Sequence, residues 1–193
     1  MRTRITLLAV PVLALTALTA APAHAEFFSI DDPADAQGSL TDIYGLEAKH
    51  GNETVLVKVR FNELLRSSAA GVSVFFDTDR DVKGPEYVLS SGLGDGTDYV
   101  LTEADGWRGS DNRVRCDYSA RPKWGQEVFR AVVSRDCFDR VPSLRVSVKM
   151  VDQADGSTPV VDWAPKRKRW SRRPGRPSSS RPAATGPGRS SRG

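Results

Sequence analysis

Hydrophobic and polar positions alternate with period two through most of the middle of the chain. Val55, Val57, Val59 and Phe61 are interleaved with Leu56, Lys58, Arg60 and Asn62, and Leu144, Val146, Val148 and Met150 with Arg145, Ser147 and Lys149. Successive side chains of a strand point to opposite faces, so this pattern predicts strands with one buried and one wet side. Shorter stretches rich in Val, Tyr and Phe at 72–77, 86–91, 99–103, 113–119 and 127–134 predict further strands. Turn residues separate them: Gly51-Asn52, Gly84-Pro85, the Gly92–Gly96 run, Asp105-Gly106, Arg121-Pro122, Pro142 and Asp155-Gly156. About seven to nine short strands at this spacing predict an all-β domain, an antiparallel β-sandwich, with a closed barrel as the alternative. One helical turn is predicted, near residues 62–67.

The two ends depart from this pattern. Arg2 and Arg4 precede an apolar run that stops near Ala21, and Ala23-His24-Ala25 follows as a small-x-small cleavage site. That order predicts a signal peptide over residues 1–25 and a secreted, extracellular mature chain. The apolar run is shorter than the ~20 residues that span a bilayer, so no membrane span is expected from it. Residues 26–41 read as a lead-in segment and 42–170 as the sandwich domain. From 171 to 193 only Ser, Arg, Pro, Gly, Ala and Thr occur. With nothing large and apolar to bury, this tail is expected to be disordered. It reads as a basic arm for anionic polymers, as an idle tail, or as the product of a shifted reading frame, since all six residue types have GC-rich codons.

Charge divides along the same lines. The formal net charge is +4, yet residues 26–163 carry 16 Lys and Arg against 24 Asp and Glu, a balance of −8. Residues 164–193 carry ten basic residues and no acid. The basic character therefore belongs to the C-terminal end, and nothing in the acidic core favours nucleic acid.

Few residues offer chemistry. Cys116 and Cys137 flank a predicted hairpin, and export would place them in an oxidising compartment; a disulfide is expected, with two buried thiols as the alternative. A bridge closing a loop of about 20 residues stabilises by roughly 3 kcal/mol in the chain-entropy model. In Asp77-Thr78-Asp79-Arg80-Asp81 alternate carboxylates sit at a strand end. Asp77, Asp79, Asp81 and Glu86 are candidate calcium ligands, with Asp95 and Asp98 on neighbouring loops, because calcium takes six to eight oxygens. The bland alternative is a solvated turn in which Arg80 and Lys83 balance the acids. The Gly92–Gly96 run lacks the Lys-Ser or Lys-Thr of a phosphate loop and reads as a hairpin turn. Trp107 and Trp124 are candidate ligand-stacking residues, against the alternative of partly buried packing with the indole N–H satisfied. Past the signal, His50 is the only histidine and Met150 the only methionine, and no nucleophile–base constellation is visible. The chain is therefore not expected to be an enzyme.

The core resembles a set of small secreted actinobacterial proteins, through Asp77-Thr78-Asp79, Gly84-Pro85-Glu86-Tyr87, Gly96-Thr97-Asp98-Tyr99, Arg145-Val146-Ser147-Val148, Val161-Asp162-Trp163 and the cysteine pair. The stretch from Asp31 through Asp42-Ile43, with the Asp77-Thr78-Asp79 strand end, also resembles the sandwich of DOMON domains and family-9 carbohydrate-binding modules. That second resemblance implies a binding role toward sugar, haem or calcium and assigns no residue to it. The expectation is a secreted sandwich that binds a polysaccharide or cell-envelope polymer, with calcium as a stabilising ion. A protein-interaction or inhibitor-like domain is the alternative.

Overall fold

The period-two segments do form strands. A computed structural model describes residues 26–36, 38–62, 65–153 and 158–171. In chain order the strands are β1 (Glu26–Asp31), β2 (Ile43–His50), β3 (Thr54–Phe61), β4 (Gly71–Asp77), β5 (Tyr87–Gly92), β6 (Tyr99–Ala104), β7 (Gly109–Arg113), β8 (Tyr118–Lys123), β9 (Val128–Ser134), β10 (Arg145–Asp152) and β11 (Val160–Ala164). They build two antiparallel sheets, ordered β1-β2-β3-β9-β8 and β11-β10-β4-β5-β6-β7. The all-β sandwich expected from the sequence is what the chain adopts, with eleven strands among the described residues instead of seven to nine. Among these residues no helix is long and apolar enough to cross a membrane.

The core is the space between the sheets. Val55, Val57, Val59 and Phe61 of β3 face Val72, Val74 and Phe76 of β4 and Val146, Val148 and Met150 of β10, all buried. A one-residue slip in any of these strands would turn its whole apolar set outward, so the alternation fixes the register. The 3-10 turn at Arg135–Phe138 follows β9 and inserts Phe138 between Phe76 and Tyr87, with ring centres 4.9 and 5.2 Å away.

Three strands, β1, β2 and β11, go beyond the predicted set, and one predicted strand is divided. Residues 26–31, read as lead-in, pair with β2 along their whole length as β1. The predicted 113–119 strand is two pieces: β7 ends at Arg113 in the second sheet and β8 starts at Tyr118 in the first. The chain changes sheets between them, and Cys116 sits at that crossing, bonded to Cys137 with Cα atoms 5.5 Å apart. The expected disulfide is therefore present, and it ties the crossing to the turn after β9. Residues 1–25 and 172–193, which hold the predicted signal peptide and nearly all of the tail, lie outside the described residues. So do two positions of the helical turn predicted at 62–67; its remaining part includes a turn at Arg66-Ser67.

The segment between β1 and β2 closes one edge of the sandwich. Asp162, inward on β11, accepts the N–H of Ile43 at 2.6 Å. Asp152, at the end of β10, accepts the Ser39 hydroxyl at 2.9 Å and the Leu40 N–H at 3.2 Å. Two carboxylates of the second sheet thus hold the approach to β2 in the first.

Candidate functional site

Phe75 points to the outer face of the second sheet, yet it is only 1% exposed, because indoles cover it. Trp163, outward on β11, stacks on it at 5.6 Å between ring centres, and Trp107 meets it edge-on at 5.2 Å. Trp107 and Trp163 are themselves edge-to-face at 5.5 Å, and Trp170 stacks on Trp107 at 4.7 Å. Both geometries are favoured by the aromatic quadrupole. Trp107 is delivered by the β6–β7 turn, where Gly106 has φ +57°, a left-handed conformation that costs glycine nothing. Trp170 is delivered by the segment after β11. That segment is fixed by Ser171, whose N–H donates to the Val146 carbonyl at 2.8 Å and whose Oγ accepts the Val146 N–H at 2.9 Å.

An open cleft of about 470 Å3 lies beside this cluster. Trp107, Trp163 and Val161 supply its apolar side, and Arg108, Lys149, Arg167 and Lys168 stand around it with one carboxylate, Asp105. Lys149 is the residue opposite Trp163 in the β10–β11 ladder, and its Nζ lies 6.0 Å from the centre of that indole. Half-buried aromatic faces next to unburied cations can hold a ring with polar substituents: the indoles take its apolar face, and the cations take its oxygens.

A second candidate lies at the edge closed by the β1–β2 segment. Asp32, Asp35 and Asp162 each offer a carboxylate oxygen, all within 4.8 Å of one another. Asp32 Oδ2 is buried without a hydrogen-bond partner. Burial, and then the charges of Asp162, Asp35 and Asp42, push the Asp32 carboxyl up to about 7, while Lys166 pulls it down. Asp162 is raised as well, first by burial, although the N–H groups of Ile43 and Trp163 oppose the shift. Asp42 is engaged locally, accepting Ala36 N–H at 2.9 Å and the Asn62 side-chain amide at 3.3 Å. Hard oxygen donors from separate segments, with carboxylates crowded enough to raise a pKa, form a donor set suited to a calcium ion.

The ligands expected from the sequence are arranged otherwise. Asp77 is buried and ion-paired with Arg145, which also lies over Trp170, its guanidinium carbon 5.6 Å from the ring centre. Glu86 Oε2 accepts the N–H groups of Thr78 at 2.6 Å and Asp79 at 3.1 Å, and Asp79 accepts the N–H of Asp81 at 2.9 Å. These carboxylates organise the turn after β4 from within.

The two candidate stacking tryptophans lie in different surroundings. Trp107 reaches the cleft, whereas Trp124 donates its indole N–H to the Leu93 carbonyl at 3.1 Å and carries Arg66 over its ring at 4.4 Å. Trp107 packs instead against Trp163, which is not among the candidate ligand residues named above. An outward position in the Val160–Ala164 alternation, opposite an outward Lys149, was the signal that could have found it. His50 is buried, and its imidazole is held below its usual range by burial and then by Arg135. No protein-family model matches the chain, and no curated protein is significantly similar to it.

Proposed function

We propose that this protein is an exported binding module that holds a polysaccharide or cell-envelope polymer in the cleft beside Trp107 and Trp163, with calcium as a structural ion. The observation that carries the reading is this pair of half-buried indoles on one open face, with cations around them. The signal-like N-terminus and the Cys116–Cys137 bridge support export, since disulfides persist in oxidising compartments. For calcium, Asp32, Asp35 and Asp162 replace Asp77, Asp79, Asp81 and Glu86 as ligands. The first group holds a surplus of carboxylate, and in the second Asp77, Asp79 and Glu86 are engaged by Arg145 and backbone N–H groups.

Co-sedimentation with insoluble polysaccharides and cell-wall material, in calcium and in chelator, tests this. The expected result is retention of the parent protein and loss of retention in Trp163→Ala, with weaker binding in chelator as the edge loosens. Absence of binding in both conditions would overturn the polymer role and point to a protein partner.

A further inference from the structure

We propose that the polymer is acidic, a polyuronate whose stacked sugar ring carries its own carboxylate; this rests on the cleft being a glycan site. Residues 26–163 have a net charge of −8, yet Arg108 and Lys149 of that acidic body join Arg167 and Lys168 of the basic stretch that follows it in a rim holding one acid, Asp105. On the opposite outer face Lys58 pairs with Glu47, and Arg60 with Asp31 and Glu47, whereas Lys49, Arg121 and Arg130 there make no ion pair among the described residues. Arg108, Lys149, Arg167 and Lys168 make no ion pair among the described residues.

A neutral sugar on Trp163 would take water from Lys149 and Arg108 and return no charge, which disfavours it. Lys149 Nζ lies over the Trp163 indole, 6.0 Å from its centre, so a sugar stacking there must draw the ammonium onto its own substituents. A carboxylate borne on the stacked ring falls in its reach. The guanidinium of Arg108 on the same rim has the planar fork that receives a carboxylate through two parallel hydrogen bonds. Anions on neighbouring sugars would then meet Arg167 and Lys168.

The experiment is affinity electrophoresis of the full chain through gels containing polygalacturonate, a neutral galactan or a sugar-phosphate polymer, at low and high salt. Lys149→Gln and Arg108→Gln serve as variants, with thermal melting to confirm folding. Retention by polygalacturonate is expected, weakened by salt and about tenfold weaker in each variant. Three results would overturn the inference. Retention by polygalacturonate that ignores both variants would place binding elsewhere in the chain, such as the arginines after residue 171. Preference for the sugar-phosphate polymer would name the wrong anion. Trp163-dependent retention by the neutral galactan alone would leave the glycan site standing without its acidic preference. Retention by none of the polymers would remove both readings together.

Discussion

The turn after β4 and the edge between β11 and the β1–β2 segment both gather carboxylates, and they settle the repulsion in opposite ways. In the turn Asp77 is answered by Arg145, Asp79 by the Asp81 N–H, and Glu86 Oε2 by two backbone N–H groups and the Thr78 hydroxyl. The Asp81 carboxylate is exposed to solvent, and Glu86 Oε1 is buried without a hydrogen bond. At the edge, Asp32, Asp35 and Asp162 come from two distant parts of the chain, and Lys166 is the one cation that lowers the Asp32 pKa. Acids adjacent in sequence can be paired by the backbone between them. Acids brought together by the fold keep their surplus, and that surplus is what an external cation can neutralise.

The largest break in this comparison should come from Arg145→Ala. It would take the Arg145 ion pair from the buried Asp77 carboxylate and cost about 3 kcal/mol, read by urea denaturation; a loss near zero would show that the turn does not depend on the pair. Calcium should act next. At about 100 times its Kd it should add roughly 2.7 kcal/mol to the parent protein. The gain should vanish in Asp162→Asn and persist in Asp79→Asn, and the reverse pattern would return the ion to the turn.

A smaller effect follows from pH. The folded-state pKa of Asp32 is raised, so its ionisation costs stability above about pH 7, and the cost fades as pH falls from there toward the unfolded value near 3.8. In chelator, Asp32→Asn should therefore be more stable than the parent at pH 8, by ~1 kcal/mol once solvent screening is allowed for. The gap should narrow by pH 5 and close near the unfolded value. Buried His50 destabilises both proteins in acid and cancels in the difference. A gap independent of pH would mean that Asp32 titrates normally. The smallest change belongs to Asp81→Asn, an exposed turn position, expected within ~0.5 kcal/mol of the parent in a thermal melt.

The sandwich was legible where alternation was clean, as in β3 and β10, and where cysteines flanked a hairpin. It was obscured in β2, where a register shift between Ile43 and Gly45 interrupts the alternation. It was obscured again at 113–119, where one apparent strand straddles both sheets. The site was less legible because its parts are distant in sequence. Trp107 and Trp163 meet only because the β6–β7 turn folds back over Phe75 of β4. Nothing in Asp31–Asp35 announces Asp162 as a neighbour. Conversely, Asp77 and Asp79 looked like ligands because local spacing does not reveal the arginine on the adjacent strand.

The packing of three indoles gives the protein an optical handle. Trp107 lies 4.7 Å from Trp170 and 5.5 Å from Trp163, close enough for their electronic transitions to couple. The circular dichroism of the folded chain should therefore carry an exciton couplet that no isolated tryptophan produces. Trp107→Phe should erase it while leaving the β-sheet signal in place. A ligand entering the cleft would perturb the same band, so occupancy can be followed without attaching a dye.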